Sequence, residues 1–263
     1  MIADLNGRKA VVTGAGTLGG LGGTIATVLA AQGAAVAVAD INLAGAEEVA
    51  AELESTESFA VELDVGSTES IAAAFEQVHE RWGQVDILVN NAGVLAAAGS
   101  TGESEWEATF RINVLGTVRC TQVVMPAMQV RRYGKVVNIG SISGHAARGT
   151  AGAYGSSKAA VLRYTKGLAV EVAPFSVNVN AVCPGAVWTG MQSGPFAQPE
   201  TVDPRLAGLE PYDAFLEYYR PITPLGRPQT ATDVAKAIAF LASDDAANIT
   251  GQCVHVDGGA IRD

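Results

Sequence analysis

Residues 11–26 read VVTGAGTLGGLGGTIA, with glycine at positions 14, 16, 19, 20, 22 and 23. Before this stretch, Lys9–Thr13 is a short β-rich run. After it, Leu21, Ile25, Val28 and Leu29 recur at helical spacing. Glycines between a strand and a helix let the backbone approach a ligand closely, and the free amides of a helix N-terminus favour an anion. The stretch reads as a phosphate cradle, and the rest of the chain must supply the sheet that would present it.

Working outward, strand-like and helix-like segments alternate. Ala35–Ala39 is an apolar strand ended by Asp40, and residues 44–53 read as a helix. A third strand is expected over 58–65. The next helix carries Ile71, Ala74, Phe75, Val78 and Trp82 on one face, and a strand over 85–89 is closed by Asn90-Asn91-Ala92-Gly93. Ser104 and Glu107 have capping-box spacing before Trp106, Phe110 and Val114. Strands follow at 135–139 and 177–182, around a long helix over 154–172. A helix over 233–241 and a strand over 253–256 come last. Strands apolar on both faces, alternating with helices, imply an α/β fold: a doubly wound parallel sheet of the Rossmann type, in a single domain over 1–263.

Composition narrows the function. About half of the 263 residues are apolar, enough for one large core, and the net charge of −10 argues against a nucleic-acid partner. No apolar run approaches the roughly 18 residues of a membrane span. A strand begins almost at the N-terminus, so no signal peptide is expected. Cys120, Cys183 and Cys253 follow no linear metal or redox spacing. They read as buried apolar residues in a reducing compartment, with no metal site and a cytoplasmic location expected.

The chemistry lies in NIGSISGHAARGTAGAYGSSKAA, residues 138–160. Tyr154 and Lys158 are four apart on the long helix and share a face. An ammonium beside a phenol favours phenolate and is expected to lower its pKa, as a proton donor to a carbonyl or acceptor from an alcohol requires. The Ser141 hydroxyl is placed to hold the same substrate oxygen. Asp40 ends the second strand, where a carboxylate accepts from both hydroxyls of an adenosine ribose and repels a 2′-phosphate. NAD is therefore expected over NADP.

Thr13-Gly14 with the later glycines, Asp64, Asn90-Asn91-Ala92-Gly93, Asn113, Ser141, Tyr154, Lys158, Pro184-Gly185 and Val256-Asp257-Gly258-Gly259 occur together and in this order. In this the sequence resembles the short-chain dehydrogenase/reductase family nearly end to end. The resemblance implies an NAD-dependent oxidoreductase that interconverts a secondary alcohol and its ketone. Tyr154 would be the general acid/base, Lys158 its partner and a ligand of the nicotinamide ribose, and Ser141 the residue that orients the substrate. Asn113 would support a water linking Lys158 to solvent. The expected cofactor contacts are Gly14, Gly20, Leu21, Gly22, Asp40, Ile41, Asp64, Val65, Asn91, Ala92, Gly93, Pro184, Gly185, Val187 and Thr189. The resemblance also implies a homotetramer or homodimer and a substrate lid over 188–228. A non-catalytic NAD-binding sensor or scaffold on the same fold would predict damage to the Ser141–Tyr154–Lys158 set, and none is visible.

One feature departs from the family. Its usual loop is Thr-Gly, three residues, Gly, one residue, Gly, whereas five residues separate Gly14 from Gly20 here. In one register Gly14, Gly20 and Gly22 are the working glycines and residues 16–18 bulge; in the other, Gly14, Gly16 and Gly19 form a strict G-x-G-x-x-G. Helical phase does not separate the two, since Leu18 and Leu21 both fit it. Entry into the helix at Gly20-Leu21-Gly22 favours the first. On the substrate side, Ser143, His145 and Trp188 are candidates. Phe215 with Tyr218 or Tyr219 reads as a helical packing stripe, and Arg205 and Arg220 read as solvated charges.

Overall fold

Seven runs rich in Val, Ile and Ala pair into one sheet: β1 (Lys9–Thr13), β2 (Ala35–Asp40), β3 (Phe59–Glu62), β4 (Ile87–Asn90), β5 (Gly134–Ile139), β6 (Val177–Pro184) and β7 (Cys253–Val256). The computed structural model describes residues 3–55, 57–95, 102–145 and 152–261. Every pairing is parallel, in the order β3-β2-β1-β4-β5-β6-β7. β4, β5 and β6 are buried along their whole length. Both faces of the sheet are covered, so these strands show no polar alternation. The strand order reverses between β1 and β4, which leaves a crevice outside their C-terminal ends. The expected doubly wound parallel sheet in one domain is what the chain forms.

The helices are α1 (Leu21–Ala31), α2 (Leu43–Ala51), α3 (Thr68–Trp82), α4 (Glu103–Phe110), α5 (Thr117–Arg131), α6 (Ala153–Val172), α7 (Gly190–Ser193), α8 (Pro199–Val202), α9 (Pro211–Tyr219) and α10 (Ala231–Ala242). On one face, Ile25 and Leu29 of α1 and Ile238 and Leu241 of α10 pack on Val36 and Val38. On the other, Ile71, Phe75 and Val78 of α3 and Met128 of α5 pack on Leu88, Val136 and Val179. Among the described residues no helix is long and apolar enough to cross a membrane.

Several local expectations are corrected. The third strand pairs only to Glu62, because Asp64 turns the chain by accepting from Gly66 N at 2.7 Å. The capping box at Ser104 and Glu107 does not form. Gly102 is the N-cap, without a side-chain bond, and the helix has already begun at Glu103. Beyond Phe110 the chain does not stop: a π-helical turn over Arg111–Gly116 joins α4 to α5. Gly116 and Pro126 had broken the period that would have revealed α5. Residues 188–228, where the sequence shows no clear helical period, hold α7, α8 and α9 around a small core of Phe196, Leu206, Ala214 and Phe215.

The capping box that does form lies at α10. Thr230 Oγ1 accepts from Asp233 N at 3.1 Å, and Asp233 Oδ2 accepts from Thr230 N at 2.8 Å. Thr230→Ala should lower the unfolding free energy by about 1 kcal/mol, read as a lower urea midpoint with an unchanged slope.

Candidate active site

The glycine loop is tied to β4 by side chains that follow directly from the sequence. Thr13 Oγ1 accepts from Asn91 N at 3.1 Å and from Ala92 N at 3.0 Å. Asn91 Nδ2 donates to the carbonyls of Thr13 (3.0 Å) and Gly14 (2.8 Å). Gly14 has φ +66°, and a β-carbon there would fall 2.7 Å from Ala92 Cα. A β-carbon on Gly22 would fall 2.6 Å from Asn91 Nδ2 and strike the Gly14 carbonyl. Gly14, Gly22, Asn91 and Ala92 therefore form one flush backbone surface.

α1 begins at Leu21 with Gly20 as its N-cap, as the first register required. The extra residues form a turn closed by Gly20 N donating to Thr17 O at 3.0 Å, and Leu18 points outward. Gly19, central to the second register, has nothing near its missing side chain. Gly20 makes no side-chain cap bond, and the first turn of α1 carries no acid. That helix end, with its amides and its dipole, fits a pyrophosphate.

Asp40 stands beside the loop. Its Oδ2 accepts from Gly16 N at 2.7 Å and its Oδ1 from Asn42 N at 2.9 Å, which leaves lone pairs on both oxygens. Gly16, named from the sequence only as a glycine of the second register, packs on Asp40, a contact that sequence reasoning missed: a β-carbon there would lie 2.8 Å from Asp40 Cβ. Its place in the inserted stretch was the available signal. Ile41 follows Asp40 and is exposed. Val65 is buried against Gly116, next to the Asp64 turn.

On the other side of the crevice, Ser141 follows β5 and accepts from Ser143 N at 3.1 Å. It is also hydrogen-bonded to the Tyr154 hydroxyl. Lys158 is buried one turn along α6; it donates to Ile139 O at 2.8 Å and its Nζ lies 5.7 Å from the Tyr154 ring centroid. Burial brings Lys158 down to about 8. The expected lowering of Tyr154 is corrected. Burial pushes the phenol up, with the Ser141 hydrogen bond pulling the other way.

Asn113 lies in the π-turn, buried. It accepts from Val94 N at 2.8 Å and donates to Val94 O and Ser157 Oγ, both at 3.0 Å. A β-carbon on Gly93 would lie 3.2 Å from Asn113 Oδ1 and 3.5 Å from Lys158 Nζ, so Gly93, Asn113 and Lys158 converge.

Pro184 ends β6, and Gly185 N donates to Val256 O at 3.1 Å. Val187 is buried, and Thr189 is the N-cap of α7. Trp188 packs on Tyr212 and Phe215, with centroids at 5.4 and 5.2 Å. Phe215 is fully buried in packing, while Arg205 pairs with Asp203 and Arg220 with Glu217. Ser143 is exposed. His145 lies edge-to-face on His255 at 4.4 Å, near Cys183.

Residues 14–260 match the family model described as enoyl-(acyl carrier protein) reductase. The chain is 35% identical over 260 residues to 2,3-dihydro-2,3-dihydroxybenzoate dehydrogenase of Bacillus subtilis, covering 97% of each chain. It is 34% identical over 258 residues to 3-oxoacyl-[acyl-carrier-protein] reductase of Escherichia coli, covering 97% of this chain and 98% of that one. The crystal structure of levodione reductase superposes with a TM-score of 0.84 at 29% identity, covering 97% of this chain and 98% of that one.

Asn113→Ala would leave Val94 N and Ser157 Oγ without this partner. The unfolding free energy should fall by about 1–3 kcal/mol, measurable by urea denaturation.

Proposed function

The chain belongs to the short-chain dehydrogenase/reductase family, and we propose that it is an NAD(H)-dependent enzyme interconverting a secondary alcohol and its ketone. One observation carries the reading: Ser141, Tyr154 and Lys158 converge across the crevice from the glycine surface. The names of the relatives support it, since a 3-oxoacyl reductase and a dihydroxy-compound dehydrogenase act at keto or carbinol carbons. The four-residue step from Tyr154 to Lys158 supports carbonyl over enoyl reduction.

In this reading the cofactor pyrophosphate lies against Gly14, Gly20, Leu21 and Gly22 at the N-terminus of α1. Asp40 and Ile41 take the adenosine ribose, and Asp64 and Val65 border the adenine. Asn91, Ala92 and Gly93 line the middle, and Pro184, Gly185, Val187 and Thr189 border the nicotinamide. When bound, the nicotinamide supplies or accepts the hydride.

The protein's own share is proton handling. Ser141 holds the substrate oxygen. Tyr154, which burial keeps protonated, donates its proton to that oxygen in reduction; in oxidation it first gives that proton up towards solvent, and the resulting phenolate takes one from the alcohol. Lys158 keeps an ammonium below pH of about 8, with N–H groups beyond the one given to Ile139. The Asn113 clamp on Val94 and Ser157 holds the wall through which a water would resupply the proton. Residues 188–228, with Trp188 against Tyr212 and Phe215, form the lid over the substrate.

Two experiments test the reading. Tyr154→Phe should lower turnover by at least about 100-fold while cofactor affinity stays within a few-fold. Turnover at the parent rate would sink the assignment of Tyr154.

In a fluorescence titration of the parent protein, NADH should bind more tightly than NADPH, and Asp40→Ala should narrow the gap. Equal affinities in the parent would remove the case for NAD, and binding of neither would remove the cofactor reading itself.

A further inference from the structure

Behind Ser141, metal-type donors from three separate stretches of chain meet. His145 lies at the end of the turn that Ser141 opens, Cys183 near the end of β6, and His255 opposite Cys183 on β7. Their donor atoms all lie within 4.8 Å of one another. Cys253 is two residues before His255, so its side chain points to the same face of β7, and it is hydrogen-bonded to Cys183 and to His145. None of these four is needed for the proton transfer assigned to Ser141, Tyr154 and Lys158.

The geometry points to a cation. His255 Nε2 is buried and has no hydrogen-bond partner among the described residues, although a buried ring nitrogen of this kind ordinarily finds one. Two thiols and two imidazoles form the donor set of structural zinc sites, and soft sulfur ligands disfavour magnesium and calcium.

We propose that His145, Cys183, Cys253 and His255 form a tetrahedral site for a zinc-class divalent ion, which clips the turn after Ser141 to the β6–β7 edge of the sheet. Tetrahedral zinc sets its donors roughly 3.3–3.8 Å apart. His145, Cys183 and His255 therefore close by about an ångström, and Cys253, hydrogen-bonded to two of them, turns in to complete the set; of the four, only Cys183 is fully buried and the others are half-buried rather than locked. On binding, each cysteine that ligates the ion gives up its thiol proton to solvent.

The test uses the full-length protein, stripped with a chelator and kept reduced. Titration with Co²⁺ should saturate at one equivalent, with a thiolate-to-cobalt charge-transfer band in the near ultraviolet and the intense visible bands of a tetrahedral ion. Zn²⁺ should abolish both and remain with the protein through gel filtration. Cys253→Ser and His255→Gln should each weaken Zn²⁺ binding by at least about 10-fold, measured by competition with a chromogenic chelator. If the parent gives no charge-transfer band, or both variants hold Zn²⁺ as tightly as the parent, the site is not there. Should a variant fail to fold, the cobalt spectrum of the parent decides alone. No turnover is measured, so the outcome is independent of the oxidoreductase reading.

Discussion

Thr13 and Asn91 hold the ends of β1 and β4 together across the point where the strand order reverses. Two amides of the β4 exit donate to one hydroxyl, and one side-chain amide donates to two carbonyls of the β1 exit. This tie takes over where the β1–β4 register ends, at Val12 and Val89. With it, Gly14 lies flush on Ala92 and α1 starts where its amides face the crevice. Asp40 then fastens the inserted loop from the far side by gripping Gly16. The insertion is accommodated as an outward turn, so the added length leaves the approach to the helix end unchanged.

A second constraint is burial on the opposite wall. Lys158 is held inside the protein by Ile139 O, and Tyr154 by the packing around it. Desolvation acts in opposite senses on an ammonium and on a phenol. It draws the lysine down and pushes the tyrosine up, so both groups favour their neutral forms more than they would in water. The ion pair that simple adjacency on a helix suggests does not dominate here. The π-turn matters for the same wall, because it brings Asn113 inward to clamp Val94, next to Gly93 and Lys158.

Much of this was legible in the linear sequence. β1 and β7 were read to the residue and the other strands to within a few, because apolar runs bounded by Asp, Asn, Gly or Pro are local signals. Helices α1, α3 and α6 announced themselves by period. α5 did not, since Gly116 and Pro126 interrupt it and a π-turn shifts its phase. The false capping box at Ser104 and the true one at Thr230 show the limit of a spacing rule. Both have the right residues, and only the point where the helix begins decides which hydroxyl meets a free amide. Phe215, by contrast, reads from its helical spacing as packing, and Phe196, Leu206 and Trp188 surround it in that role.

The sequence by itself determined the succession of the seven strands along the chain, the glycine-lined helix entry, the acid ending β2 and the Tyr154–Lys158 pair on one helix face. Each depends on residues within a few positions of one another, where backbone geometry converts spacing directly into proximity. Tertiary structure alone decided that Gly16 rests on Asp40, that burial raises Tyr154, and that His145, Cys183 and His255 share one corner. These depend on distance and solvent exclusion between segments far apart in the chain, and β6 and β7 become neighbours only when β7 pairs onto the edge of the sheet.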